Sequence, residues 1–309
     1  MTIRPATESD TPAIIGLLKA SLGESMIPKS EALWEWKHVL NPFGRSPVLL
    51  AEEDGVLAGV RAFLRWEFVK DGEPVRACRA VDTATHPDFQ GKGIFSKLTL
   101  ELVEVVKKEG VDLVFNTPNS KSTPGYLKMG WERWGKLPLK LDFHFGKSIK
   151  QDPGSDDWNS IASLIKKIET SSTAYPGVQT KPVPGYISWR FRDIPLFPYR
   201  FLSDGESYLL VYRVKEGKMG KEFRICDLFT AGDLTKTQEL NRSLADRIKM
   251  SGARFSSFSG LQYSNQTLLE MGMLPVMKIG PLVTLRNVTE GYRALDQPWN
   301  WSLGDLEVF

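Results

Sequence analysis

Along the first half of the chain, apolar positions switch between periods of about 2 and about 3.6 residues, in blocks bounded by Gly, Pro and Asp. TIRPAT reads as a short strand. Asp10 then stands as a helix cap, with Pro12 in the first turn and Ile14, Ile15, Leu17 and Leu18 along one side. VLLAEED and VLAGVRAFLRWEFV read as strands joined at Asp54-Gly55, a hairpin signal, and VRACRAVDTAT as the next strand. From Ile94 to Val106 the chain carries apolar positions at Ile94, Phe95, Leu98, Leu102, Val105 and Val106, among others, which suits an amphipathic helix stopped by Gly110. The apolar run VDLVFN follows as a strand. Strand, helix and strand at this spacing predict a right-handed crossover to a parallel neighbour. STPGYLKMGW predicts one short helix, with Thr123 as cap, Pro124 at the first position and Gly130 as the left-handed stop. WERWGKLPLKLDFHF supplies two more strands, and the polar GKSIKQDPGSDDWNS predicts a linker.

The second half echoes the first. EWKHVLNP (35–42) matches SWRFRDIP (188–195), with Trp and Pro six apart in each. RAVDTAT (79–85) matches RICDLFT (224–230), keeping Arg, Asp and Thr in register. YLKMGWERWGKLPL (126–139) matches LLEMGMLPVMKIGPL (268–282) with one insertion. Similarity in the same order along the chain predicts a duplicated domain, divided as residues 1–147 and 148–309.

Candidate chemistry centres on THPDFQGKGIFSK. A strand ends at Thr85, a tight turn follows, and a helix starts near Ile94. The first N–H groups of that helix have no partner within it, and the helix dipole adds partial positive charge. Gly91 and Gly93 let backbone approach an anion closely, and Lys92 adds charge; a pyrophosphate suits this turn. The segment is neither GxxxxGK[ST] nor GxGxxG.

The order strand, His-Pro turn, Gln90-Gly91-Lys92-Gly93, helix, strand ending in Asn116, then Tyr126 four residues before Gly130-Trp131, resembles the GNAT superfamily of N-acetyltransferases. THPDFQGKGIFSKL resembles its pyrophosphate motif, YLKMGW its Tyr-x-x-x-Gly-aromatic motif, and IRPATESD its opening strand and helix. The resemblance covers residues 2 to about 145 directly and the remainder through the internal repeat. It implies an α/β (α+β) fold of two GNAT-like domains. Each would be a mixed, mostly antiparallel twisted sheet flanked by helices, with a splayed parallel strand pair for acetyl-CoA. The pyrophosphate would then lie on the amides of Gln90, Gly91, Lys92, Gly93, Ile94 and Phe95. The pantetheine arm would pair with the strand Val81–Thr85, through Val81, Thr83 and Thr85, and Asn116 would contact the cofactor. Tyr126 would protonate the departing thiolate.

Direct transfer also needs a group to take the amine's proton. Asp82, mid-strand and on the opposite side from Val81 and Thr83, is the leading candidate, ahead of Glu67 and Glu52. Structural alternatives stand beside these roles: Tyr126 as a core tyrosine, Asp82 as an ion-pair partner of Arg79 or Arg61, Asn116 as a strand-end cap, and His86 as a turn residue. Lys92 reads as a solvated charge near phosphate, and Trp34, Trp36 and Trp189 as packing anchors. In the second half the repeat sets Lys236 and Gln238 against the glycines and Leu268 against Tyr126. That copy therefore lacks both turn and acid. It is expected to complete the acceptor pocket and brace the first half, with Tyr175, Tyr186, Trp189, Phe191 and Tyr199 as pocket or core aromatics.

Composition narrows the partners. Forty basic residues against 37 acidic ones leave a net charge of +3, which gives no reason to expect nucleic acid. No apolar run reaches the length of a membrane span, and MTIRPATESD has no signal-peptide pattern. Two cysteines without CxxC and three dispersed histidines point to no metal and to a reducing, cytoplasmic setting. The expected activity is transfer of an acetyl group from acetyl-CoA, or another acyl-CoA, to a small-molecule amine such as an amino sugar, by a monomer or homodimer. A Fem-type aminoacyl transferase and a non-catalytic acyl-CoA sensor or scaffold are the rival readings.

Overall fold

The computed structural model describes residues 1–23, 27–145, 157–171, 177–232, 237–259 and 275–306. The predicted elements of the first half form, together with one helix that the pattern does not predict, α2 (Glu31–His38), as β1 (Thr2–Pro5), α1 (Thr11–Leu22), β2 (Val48–Glu53), β3 (Val56–Lys70), β4 (Glu73–Thr85), α3 (Ile94–Lys108), β5 (Leu113–Asn116), α4 (Thr123–Lys128), β6 (Glu132–Lys136) and β7 (Leu139–Phe143). The hairpin forms at Asp54-Gly55, where both residues take positive φ. Ser122, one residue earlier than expected, is the N-cap of α4. The second half contributes α5 (Ala162–Thr170), β8 (Gln179–Thr180), β9 (Arg200–Ser203), β10 (Tyr208–Gly217), β11 (Gly220–Thr230), α6 (Thr237–Ser251), β12 (Phe255–Ser259), β13 (Leu282–Asn287) and α7 (Leu303–Leu306). Most of the expected linker and the segment aligned with YLKMG lie outside the described residues. The linker's end packs instead, since Trp158 is buried in a turn before α5.

Two mixed sheets result. The larger runs β1-β2-β3-β4-β5-β13-β6, with β8 added beside β3, and the smaller runs β7-β12-β11-β10-β9. Each carries one parallel pair: β4 with β5, joined by α3, and β11 with β12, joined by α6. The halves exchange strands. β13 of the second half inserts between β5 and β6 in the larger sheet, while β7 of the first half closes the smaller sheet against β12. Nothing in the local pattern announces this exchange, because antiparallel edges of similar apolar content compete for the same partner.

Between the sheets lies an aromatic core. Phe68 and Phe115 meet Trp299 and Trp301, which stack on one another with centroids 4.4 Å apart. The C-terminal segment thus docks on the body through its two buried tryptophans. Trp36 and Trp189, aligned by the internal match, stack at 5.0 Å, and each indole N–H donates to the other residue's carbonyl at 2.7 Å. Tyr186, Phe191 and Tyr199 are buried in the same core.

The crossover helix α3 lies on the larger sheet through Ile94, Leu98, Leu102, Val103 and Val106. Gly59 on β3 makes this contact possible: a Cβ there would stand 2.5 Å from Ile94 Cγ2 and 3.1 Å from Leu98 Cδ1. Gly59→Ala is therefore expected to lift the start of α3 and lower stability by about 1–3 kcal/mol. A urea midpoint unchanged from wild type would contradict this packing.

Candidate active site

The parallel pairing of β4 with β5 stops at Arg79 and Phe115, so Ala80 to Thr85 have no β5 partner. Against β3, Thr83 faces Arg61 and Val81 faces Ala62, leaving Asp82 as the extra residue of a bulge at φ 36°. The splay opens a cavity of about 740 Å³, lined by residues between Ser21 and Tyr126. Val81, Asp82, Thr83, Thr85, Gln90, Gly91, Gly93, Ile94, Phe95, Asn116 and Tyr126 all contribute to its wall. Lys92 does not; its ammonium lies over the Phe89 ring, 4.6 Å from the centroid.

At one end is the start of α3. Gly91 and Gly93 take φ of 79° and 75°, and Gly93 is the N-cap with no side chain capping the helix. The first backbone bond into this helix comes from Lys97 to the Gly93 carbonyl. Before it, the Gln90 amide donates to the Pro87 carbonyl at 3.3 Å, and the amides from Gly91 to Phe95 are left for water or an anion. A Cβ at either glycine would meet no atom within 4 Å, so close backbone approach is open to a ligand. These features, with the unpaired β4 edge, suit a nucleotide-bearing thioester.

At the other end is Tyr126. Its oxygen accepts a hydrogen bond from Arg61 Nη2 at 2.7 Å, and its ring meets Phe95 edge-on at 5.4 Å. Gly125 admits that ring, since a Cβ there would stand 3.2 Å from Phe95 Cε1. Asn116 is buried and its Oδ1 accepts a hydrogen bond from Thr284 of β13, so a strand of the second half fixes this residue. Ser21 on α1 donates to the Thr85 carbonyl at 2.8 Å.

Asp82 is not where simple alternation puts it. The bulge turns it to the α2 side, the side that Val81 also faces through its packing near Leu33 and Trp36. Its Oδ2 pairs with Lys37 Nζ and accepts from His38 Nε2, both at 2.9 Å. Burial raises the Asp82 pKa, but the Lys37 charge and the His38 hydrogen bond outweigh it and hold the carboxylate well below its usual range. Burial likewise lowers the His38 pKa against the pull of Asp82. A neutral His38 donating from Nε2 leaves Nδ1 to accept from Ser46 Oγ at 2.9 Å. The partners of Asp82 are thus Lys37 and His38 rather than Arg79 or Arg61.

The other candidates lie elsewhere. Glu67 pairs with Lys181 at 3.2 Å and Glu52 with Arg4 at 2.6 Å. His86 accepts from the Asp88 amide and caps the turn. Burial pushes the Cys78 thiol up to about 12, which leaves it a poor nucleophile. Lys37, His38 and Arg61 carried no signal of their own, because their partners lie 44 to 65 residues away.

Residues 2–134 match the family model of the acetyltransferase (GNAT) domain. These residues are a GNAT acetyltransferase domain. The chain is accordingly an acyltransferase, and GNAT domains take an acyl-CoA as co-substrate. No curated protein matches the chain. Among solved structures, the GCN5-related N-acetyltransferase from Anabaena variabilis is 14% identical, with TM-score 0.65 over 93% of this chain and 73% of that one. Eis1 from Mycobacterium abscessus, also 14% identical, has TM-score 0.60 over 93% of this chain and 74% of its own. The GCN5-related N-acetyltransferase from Kribbella flavida is 15% identical, with TM-score 0.61 over 93% and 72%. At such identities the likeness concerns the fold, including the second sheet beyond the GNAT domain. No helix among the described residues is long and apolar enough to cross a membrane.

Proposed function

We propose that this chain moves an acetyl group from acetyl-CoA directly to the amine of a small-molecule acceptor, at a single site in the first half. The observation that carries the reading is one cavity joining an uncapped helix start, an unpaired strand edge and the Tyr126 hydroxyl. In it, the amides from Gly91 to Phe95 hold the pyrophosphate, the Gln90 amide being engaged by Pro87, and the β4 edge pairs with the pantetheine amides. Asn116 contacts the same arm. Attack by the neutral amine on the thioester carbonyl forms the C–N bond, and expulsion of the thiolate breaks the C–S bond. Tyr126 gives its proton to that sulfur.

Asp82 is less suited to be the base than its position suggests. A carboxylate already paired with Lys37 and His38 is a weak proton acceptor. We assign the amine's proton to water and assign Asp82 to the wall, where it keeps the bulge and α2 together. Residues 148–309 act as a brace: Trp189 holds Trp36 and Thr284 holds Asn116. An acceptor of the amino-sugar kind is compatible with a wall whose acidic group is already neutralised.

Calorimetric titration with acetyl-CoA is expected to give one site per chain. Thiol release from acetyl-CoA with a panel of amino sugars, amino acids and simple amines then names the acceptor. Binding without thiol release on any amine would favour the sensor reading. No binding at all would remove the acyl-CoA reading and leave the aminoacyl-transferase alternative.

A further inference from the structure

Arg61 sits on β3 opposite Thr83, at the rung where the Asp82 bulge interrupts the ladder. It is fully buried and yet forms part of the cavity wall. Its guanidinium carbon lies 5.1 Å from the Phe63 ring centroid, 5.7 Å from that of Phe95 and 5.4 Å from that of Tyr126. Among the described residues its hydrogen-bond partner is the Tyr126 oxygen, at 2.7 Å, while Nε and Nη1 are buried without any. The three rings offset part of the desolvation of this cation. They do not replace the acceptors that a buried guanidinium normally has.

Two consequences follow from the geometry. Nε and Nη1 are closed off from the cavity space, so Arg61 offers a substrate little to bind. Its contact with the chemistry runs through Tyr126. Because Arg61 donates to the phenol oxygen, the phenol's own proton is turned away from Arg61 and left for an acceptor in the cavity.

We propose that Arg61 is the positioning residue for Tyr126, orienting the phenol and stabilising the phenolate that forms when its proton leaves. This rests on the reading of Tyr126 as the acid. As the C–S bond breaks, its electron pair goes to sulfur and the Tyr126 proton follows, giving free thiol. The oxygen left behind is a phenolate beside a cation already in place, so no reorganisation is needed at that moment. The phenolate then takes a proton from water, and the proton lost by the amine returns to water, which balances the step.

The test uses the full chain as wild type, Arg61→Met, Arg61→Lys, Tyr126→Phe and the double variant Arg61→Met/Tyr126→Phe. Thiol release from saturating acetyl-CoA is followed with the best amine of the panel, or with water alone if no amine is turned over. Arg61→Met is expected to lower kcat about 30-fold, with the KM for acetyl-CoA changed less than about threefold. Its thermal midpoint should equal or exceed that of wild type, because an under-paired buried charge is removed. Arg61→Lys should recover part of the rate. The double variant should be no slower than Tyr126→Phe alone, because the two residues act as one unit.

Losses that multiply in the double variant, or a rate loss in Arg61→Met that tracks a lowered midpoint, would make Arg61 a structural residue and overturn the proposal. A slow Tyr126→Phe beside a fully active Arg61→Met would overturn the positioning role alone. A fully active Tyr126→Phe would overturn the acid assignment and the positioning role together.

Discussion

Tyr126→Phe is expected to lower kcat by about 10²–10⁴-fold while the Kd of CoA stays within about threefold. The substitution removes one oxygen and keeps the ring, which is buried between Phe95 and Trp131 in edge-on contacts of 5.4 and 5.2 Å. The packing of α4 against α3 is therefore retained, and what disappears is the proton available to the departing sulfur. Stability should fall by only about 1–2 kcal/mol, the consequence of leaving Arg61 Nη2 without its acceptor. Thiol release under saturating substrate, set beside calorimetric CoA binding, separates the two roles open to this residue. A core tyrosine would leave kcat within a few-fold of wild type, and a residue that only binds donor would raise KM with kcat unchanged. Either result would return the leaving-group proton to water.

The parts of the site that can be read from the chain are those built from near neighbours. The turn Gln90 to Gly93 is legible because Gly91 and Gly93 must take left-handed φ before α3 starts, and glycine does this without strain. The short helix α4 is legible through Pro124 and Gly130, and with it the place of Tyr126 on its second turn. The splay after Arg79 came with the family resemblance, since the stretch Val75 to Thr85 reads locally as one continuous strand. The bulge at Asp82 defeats the period of two. Counting alternate residues puts Asp82 opposite Val81, whereas as the extra residue in β4 it turns to the α2 side that Val81 already faces. Whether a strand has an extra residue depends on its partner β3, and no local pattern in β4 records it. Arg61, Lys37 and His38 are hidden for the same reason at longer range, as is the support of Asn116 by Thr284, 168 residues on. Duplication in the sequence gave a reason to expect two sheets, but it suggested that each half builds its own. The exchange of β7 and β13 is a tertiary choice between similar edges.

Arg79→Met is expected to destabilise the chain by about 3 kcal/mol, in contrast to Arg61→Met. Both arginines are buried in the larger sheet, with no more than 1% of the residue exposed. They differ in what surrounds them. Arg79 Nη1 donates to the Asp305 carbonyl at 2.5 Å, and Nη2 donates to the Leu306 carbonyl at 2.8 Å and to Thr117 Oγ1 at 2.9 Å. Arg190 supplies the neighbouring acceptor, the Gly304 carbonyl, with two donors at 3.1 and 2.7 Å. The two guanidinium groups thus take up the buried carbonyls of α7, which at four residues cannot satisfy them internally. Burial and the nearby Arg190 charge push the Arg79 pKa down to about 9, against the pull of Asp305, so the cation is held at a penalty that its acceptors offset. Methionine fills most of the volume but leaves two buried carbonyls without donors, each worth about 1–3 kcal/mol. Urea unfolding followed by tryptophan fluorescence reads the loss, because Trp299 and Trp301 lie on the segment that Arg79 holds. Through Thr117, a residue of the cavity wall, the same change should weaken CoA binding by about two- to fivefold, the equivalent of one neutral hydrogen bond. If Arg79→Met and Arg61→Met shifted the urea midpoint alike, the number of acceptors around a buried guanidinium would not decide its contribution here. The account of Arg79 as the lock on the C-terminal segment would then fail.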